Sequence, residues 1–204
     1  MVEPGRDSNP GRALIRLGRA LALGAALLLV AVAARASDEV TVEAVRRGEA
    51  LEIVCRAALE APAEIVWQTL TDYNRLHEFI PGMLRSRVLE RRGAVAVIEQ
   101  SGEARFLVFT FPIDVTLAST ERPPHSIEAT MLKGNLKRLQ GTYRIEPQSA
   151  GRVAVTWTGV IEALSMPPLF GETLMRASIE DQFRGMVQEI AHRAAARREA
   201  EAKK

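Results

Sequence analysis

The sequence has little of what catalytic, metal-binding and disulfide-stabilised proteins usually carry. Its 204 residues include one cysteine, three histidines and 5% aromatic residues. A single cysteine excludes an intramolecular disulfide, so packing alone must hold the fold, even in an oxidising compartment. One cysteine and scattered histidines give no ligand spacing for a metal. No G-x-S-x-G, H-E-x-x-H, paired C-x-x-C or P-loop pattern occurs. The sequence therefore predicts no metal, no cofactor and no catalytic set.

The beginning of the chain has the features of a targeting segment. Three arginines precede an apolar run over residues 20–34, and small residues stand at Ala34 and Ala36. A basic start, an apolar stretch of this length and an A-x-A site are typical of a signal peptide. We therefore expect residues 1–36 to be removed near Ala36, and residues 37–204 to form one periplasmic or secreted domain. The alternative is an uncleaved membrane anchor, although a spanning helix needs about 20 apolar residues.

The mature chain lacks a strong charge of either sign. Residues 1–36 hold five arginines and two acidic residues, so their removal leaves a net charge near −1. The basic pI of about 9.0 belongs to the precursor, and no nucleic-acid partner is predicted. A Gly-Asn turn is flanked by three basic residues, Lys133, Lys137 and Arg138. They could make a transient contact with a membrane surface; the alternative is that they form a solvated hairpin tip. The pattern does not indicate an oligomeric state.

Hydrophobic periodicity gives the order of elements. Residues 40–59 are predicted to form strands; Leu51–Ala57 alternate with period two, and Cys55 falls at a buried position of that alternation. A helix is predicted to start at Pro62 and to end at Asn74, and its apolar stripe includes Tyr73. A short helical turn follows and ends at Pro81-Gly82. Later strands are predicted over 84–91, 94–102, 105–119, 126–132, 136–146 and 152–164, then a helix over roughly 169–196 with a charged tail, 193–204. The long helix must cover one face of this antiparallel sheet.

Two stretches resemble a known family. APAEIVWQTLTDYNRLHEFIPGM, residues 61–83, is similar to the opening motif of the START-like (SRPBCC) superfamily, in its polyketide cyclase and coenzyme Q-binding branch. GNLKRLQGTYRIEP, residues 134–147, resembles a strand pair of that family. The resemblance spans about residues 40–195. It implies an α+β helix-grip fold: a curved antiparallel sheet of about six to seven strands around a long C-terminal helix, with two short helices after the first strand.

The resemblance also implies a ligand. Family members enclose apolar molecules such as lipids, sterols, polyketides or quinones between the sheet and the long helix. Tyr143 or Trp157 would then offer one hydrogen bond to a polar end of the ligand. The residues that we expect to line the pocket are Trp67, Phe79, Ile80, Phe109, Phe111, Tyr143, Trp157, Met175, Ile179, Phe183 and Met186.

Three hypotheses remain open from the sequence. The first is binding or shuttling of an apolar small molecule in the periplasm without covalent chemistry. The second is a cyclase or dehydratase that uses Tyr143 or a cavity carboxylate, for which Glu99, Glu103 and Asp114 are the candidates. The third is a protein-interaction module whose grip is filled by its own side chains. The three histidines, His77, His125 and His192, are predicted to be solvated.

Overall fold

The computed structural model describes residues 40–106, 109–164 and 171–204, without the side chains of residues 106, 109 and 150. The expected signal peptide, residues 1–36, and the proline pair 167–168 before the long helix lie outside this part. Within the described part, no helix has the length and apolar character needed to cross a membrane.

Eight strands and three α-helices follow one another along the described chain. The strands are β1 (Thr41–Arg47), β2 (Ala50–Leu59), β3 (Met83–Arg92), β4 (Val95–Phe106), β5 (Phe109–Arg122), β6 (Ser126–Gly134), β7 (Leu136–Pro147) and β8 (Val153–Ala163). The helices are α1 (Ala63–Leu70), α2 (Leu76–Phe79) and α3 (Gly171–Ala202), and a 3₁₀ turn spans Ser149–Gly151.

The strands form one antiparallel sheet in the order β1-β2-β8-β7-β6-β5-β4-β3. Register shifts interrupt the pairing in β3, between β5 and β6, and between β7 and β8, and such bulges increase twist and bend a strand. The curved sheet and α3 confirm the predicted helix-grip fold. The sheet has eight strands instead of six to seven because residues 40–59 form a hairpin around Gly48 (φ 63°). The short helices therefore follow the second strand.

The core lies between the sheet and α3. Alternate residues of β2 point inward and are at most 5% exposed, as the period-two pattern predicts: Leu51, Ile53, Cys55, Ala57 and Leu59. From α3, Phe183, Met186, Val187, Ile190 and Ala194 are each at most 3% exposed. Ile65 and Val66 of α1 join the same cluster, so α1 adds a third element to one end of the core.

The first helix is shorter than its apolar pattern predicts. It ends at Leu70, and the hydroxyls of Thr69 and Thr71 donate to carbonyls four residues earlier. Tyr73 therefore lies beyond α1, yet its side chain is 5% exposed. Asn74 accepts a hydrogen bond from the backbone N–H of Val88, 2.9 Å from its Oδ1. This hydrogen bond connects the segment that follows α1 to strand β3.

The prediction of one strand over residues 105–119 was wrong. β4 continues to Phe106, β5 begins at Phe109, and these two residues pair. The reversal falls in an apolar run without Gly, Pro, Asn or Asp, so no turn signal marks it. Gly102, which was expected to be near a strand end, lies within β4. A Cβ there would stand 2.6 Å from the carbonyl oxygen of Gly82, so this glycine permits close approach of two backbones.

Candidate functional site

A cavity of about 190 Å³ lies between the sheet and α3; it is called the main chamber below. An apolar cavity of roughly 150 Å³ is large enough for a benzene-sized molecule. Six of the residues expected to line a pocket do line it: Ile80, Tyr143, Trp157, Ile179, Phe183 and Met186. The other lining residues are Cys55, Leu70, Tyr73, Leu76, Met83, Ile98, Gln100, Leu117, Ser119, Ile127, Ala129, Leu139, Gly141, Ile161 and Gln182.

A second chamber of about 110 Å³ adjoins the first, toward the beginning of α3. Met175, another expected pocket residue, lines this smaller chamber together with Ser178 and Glu103. The two chambers share six lining residues: Met83, Gln100, Leu139, Ile161, Ile179 and Gln182. The two amides, Gln100 and Gln182, therefore stand at the junction of the two chambers.

Two paired glycines make room for the main chamber. Gly141 of β7 and Gly159 of β8 are register partners, and the ring of Trp157 covers both. A Cβ on Gly141 would lie 2.7 Å from the indole nitrogen, and one on Gly159 would lie 2.5 Å from the ring carbons. Trp157 thus lies along the sheet. The sequence analysis missed these two glycines, although a glycine inside a strand often marks close approach.

Most polar atoms of the main chamber are already hydrogen-bonded. The hydroxyls of Tyr73 and Ser119 are 2.9 Å apart. The amide nitrogen of Gln100 donates to Ser86 at 3.4 Å, and that of Gln182 donates to Ser178 at 3.3 Å. These bonds satisfy a polar group of each side chain and hold the amides in place.

Tyr143 and Trp157 differ from these residues. Among the nitrogen- and oxygen-bearing side chains that line the main chamber, these two make no hydrogen bond within the described part of the chain. They are register partners on β7 and β8, and their ring centroids are 6.4 Å apart. Both side chains are only partly buried, because they face the cavity. The main chamber therefore offers two adjacent unused hydrogen-bond donors.

The ionisable groups that line the main chamber are neutral at physiological pH. Burial raises the pKa of the Cys55 thiol to about 12. Burial likewise raises the pKa of the Tyr73 and Tyr143 hydroxyls, because a low-dielectric surrounding disfavours the charged form. Cys55 is also fully buried, as its place in the alternation of β2 predicts. The lining therefore presents no charge to a bound molecule.

Three further expected pocket residues, Trp67, Phe79 and Phe111, do not line the main chamber. Trp67 and Phe79 are partly buried and pack against the core. The ring of Phe79 lies under the guanidinium of Arg193, 5.4 Å from its centroid. Phe111 is half-buried on β5 and does not belong to the lining of either chamber, whereas the side chain of Phe109 lies outside the described part.

The segment from Phe79 to Gly82 closes the main chamber against α3. Ile80 is 8% exposed and lines the chamber. Gly185 lets this segment approach, since a Cβ there would lie 2.4 Å from Cδ of Pro81 and 2.6 Å from the Phe79 carbonyl oxygen. Arg193 then binds Asp72 at 3.0 Å and Glu189 at 2.7 Å. Arg193 thus links α3 to Asp72, and its guanidinium lies over the Phe79 ring of the covering segment.

The carboxylates considered for acid–base chemistry are all ion-paired or exposed. Glu99 faces the outer side of the sheet, where Arg87 lies 2.7 Å away and holds the pKa of the carboxyl below its usual value. Glu103 lines the smaller chamber and is paired with Arg105. Asp114 is exposed, as are the histidines His77, His125 and His192. Within the described residues, no group of three or more metal-binding side chains occurs.

Two surface features stand apart from the chambers. A depression of about 540 Å³ lies on the outer face of the sheet and is lined by residues such as Glu52, Thr142 and Thr158; it is shallow and polar. At the β6–β7 tip, Lys137 is paired with Glu49 at 2.5 Å and Glu162 at 3.5 Å. The tip therefore carries less free positive charge than its sequence suggests.

Comparison with known proteins decides the family. A family model described as polyketide cyclase / dehydrase and lipid transport matches residues 59–190. The chain belongs to this family. The match includes the covering segment, strands β3 to β8 and most of α3, so it confirms the START-like resemblance. No curated protein matches the chain in sequence.

Solved structures share the fold at low sequence identity. The STAR-related lipid transfer protein from Xanthomonas axonopodis (fragment 25–204) is 16% identical over 74% of this chain and 93% of its own, with a TM-score of 0.63. The Zhui aromatase/cyclase from Streptomyces sp. R1128 is 16% identical over 72% and 95%, with a TM-score of 0.61. The human StarD13 lipid transfer and protein localization domain is 13% identical over 76% and 85%, with a TM-score of 0.59. At these identities the similarity establishes the fold.

Proposed function

We propose that this family member binds or shuttles an apolar small molecule in the main chamber without covalent chemistry. The observation that carries the proposal is the cavity of about 190 Å³ between the sheet and α3, with a mostly apolar lining. Small-molecule sites are concave, mostly apolar and equipped with few polar groups. Names of relatives such as "lipid transfer protein" point in the same direction.

The lining favours binding over acid–base catalysis. A general base works best when its pKa lies near the operating pH, whereas the Cys55, Tyr73 and Tyr143 side chains in the chamber all have raised pKa values. The cyclase hypothesis keeps support from the family description and from the Zhui aromatase/cyclase. It would have to use Tyr143 as a neutral hydrogen-bond donor, since Glu99 faces outward and is paired with Arg87.

We also propose that the protein acts after export. The support is the sequence pattern of residues 1–36, with its apolar run and small residues before Ser37. N-terminal sequencing of the mature protein should start at Ser37. Membrane-bound protein that retains Met1 would replace this proposal with an N-terminally anchored form. A transient contact of the β6–β7 tip with a membrane surface is a secondary proposal, which rests on Lys133 and Arg138.

The direct experiment is to extract the protein with organic solvent after purification from its native compartment. Mass spectrometry should detect an apolar compound at close to equimolar amount. The matched control is Met186→Trp, which places a larger side chain in the main chamber. The compound should be absent from the control extract. Equal amounts in both extracts, or no compound in either, would contradict binding in this chamber.

A further inference from the structure

The two unused donors of the main chamber indicate which chemical class of ligand it selects; this inference rests on the proposed function and narrows it. The indole N–H of Trp157 can only donate a hydrogen bond, and the Tyr143 hydroxyl beside it can donate one. A bound group that satisfies both must be an acceptor. An oxygen of a ketone, quinone, ester or similar carbonyl provides two lone pairs for this purpose.

The same lining disfavours a charged group. Cys55 and Tyr73 line the chamber as neutral side chains, and no Lys, Arg, Asp or Glu is among the described residues that line it. An ionised carboxylate or phosphate that loses its hydration there would have no opposite charge to compensate it. Glu103 in the adjoining chamber adds a negative group, which further opposes anions.

We propose that the main chamber binds an uncharged molecule through a carbonyl-type oxygen, with the Tyr143 hydroxyl as donor and the Trp157 N–H beside it. Tyr143 thereby determines specificity for neutral carbonyl compounds over hydrocarbons of equal size, and the uncharged lining disfavours free carboxylates. The apolar part of the molecule lies against Ile179, Phe183 and Met186 of α3.

Three size-matched probes test this inference: 2-acetylnaphthalene, 2-ethylnaphthalene and 2-naphthoate. Their affinities are measured by calorimetric titration at pH 7 for the wild-type protein and for Tyr143→Phe, which removes only the hydroxyl. The ratio of acetyl to ethyl affinity should be about three- to tenfold higher in the wild type than in Tyr143→Phe, as expected for one hydrogen bond. 2-Naphthoate should bind at least about tenfold more weakly than 2-acetylnaphthalene.

Trp67→Phe provides the control. It removes an indole N–H that lines neither chamber, so it should leave the acetyl preference in place. Tyr143→Phe should leave the melting temperature unchanged, because its hydroxyl makes no hydrogen bond within the described part of the chain.

The outcomes separate this inference from the proposed function. Binding of the acetyl and ethyl probes with the same ratio in both proteins would overturn the role of Tyr143 while leaving apolar ligand binding intact. Tight binding of 2-naphthoate would overturn the selection against charge. If none of the probes bound the wild-type protein, both the inference and the proposed function would be contradicted.

Discussion

The two halves of α3 pack against the same sheet with different results. In the second half, Val187, Ile190 and Ala194 are 3%, 0% and 1% exposed. In the first half, Met175 and Ile179 are only partly buried and line the two chambers. One half of the helix completes a filled core, whereas the other half covers a cavity.

The difference comes from the segment between β2 and β3. Residues 60–80 lie along the second half of α3, held by Arg193 to Asp72 and by Arg197 to Glu64, each at 3.0 Å. Arg198 also donates to the Glu60 carbonyl oxygen at 2.9 Å. A curved sheet leaves more space than one helix can fill, and α1 and α2 fill that space at one end only. The position of these short helices therefore decides where the cavity lies.

The largest expected effect distinguishes the two halves directly. Ile190→Ala should destabilise the protein by about 2–5 kcal/mol, because a new void opens in a packed region. Ile179→Ala, its matched control on the same helix, should cost clearly less, about 1 kcal/mol, since it only enlarges an existing cavity. Urea unfolding gives both values. Equal losses would contradict the division of α3 into a filled and a hollow half.

Gly185→Ala tests whether the covering segment depends on its close contact with α3 at Gly185. A Cβ at this position meets Cδ of Pro81 at 2.4 Å, so we expect a loss of about 1–3 kcal/mol from overpacking, despite the higher helix propensity of alanine. Pro81→Ala should recover part of this loss in the double variant. A net stabilisation by Gly185→Ala alone would show that the covering segment does not depend on this close contact.

Removing the Arg193 side chain's charge should have a smaller effect. Arg193→Met breaks the pairs with Asp72 and Glu189 and should cost about 1 kcal/mol, because these groups are only partly exposed. Arg184→Met, which breaks one exposed pair with Glu180 on the same helix, should cost less than about 0.5 kcal/mol. A larger loss from the Arg184 variant would contradict the assignment of Arg193 as the contact that holds the covering segment.

At physiological pH the smallest of these effects comes from ionisation of Cys55, and it grows only at alkaline pH. The Cys55 thiol has a reference pKa of 9.0 and a folded pKa of about 12, so between these values the folded chain keeps a proton that the unfolded chain loses. Stability therefore falls as the pH rises through this window. The melting temperature should be steady from about pH 6 to about pH 8 and then decline. Cys55→Ala should move the onset of this decline to higher pH, toward the range in which the tyrosines ionise. An unchanged onset would show that Cys55 is not the cause of the decline.

Much of the fold follows from the sequence because strong local patterns specify it. The alternation in β2 predicts which side chains are buried, and Gly93, with a positive φ, lies between the predicted strands 84–91 and 94–102. The reversal between Phe106 and Phe109 could not be predicted, since the apolar alternation runs through it without a turn residue. Gly102 falsely indicated the end of a strand. It lies within β4, where a close backbone contact with Gly82 requires a glycine.

The site could be predicted only in part. A sequence pattern shows which face of a helix or strand a residue occupies, but it does not show how much empty volume remains beneath that face. Phe183 and Met186 line the main chamber, as their helical stripe predicts. Ile190 on the same stripe is instead fully buried in the core and does not line the chamber. Phe79 belongs to the covering segment, but its ring turns toward Arg193. The space itself depends on Gly141 and Gly159, whose contribution becomes visible only when the strands are paired.

The central claim is that the space beneath the first half of α3 is a ligand site, and Met186→Trp tests it most directly. Binding of N-phenyl-1-naphthylamine, a neutral apolar fluorescent probe, and the melting temperature are measured for wild type and variant. We predict that the wild type binds the probe and that the variant loses binding while its melting temperature stays nearly unchanged. Overpacking of a filled core would cost about 1–3 kcal/mol, a fall of about 2–12 °C for a domain of this size. Such a fall, with no probe binding by the wild type, would contradict the account.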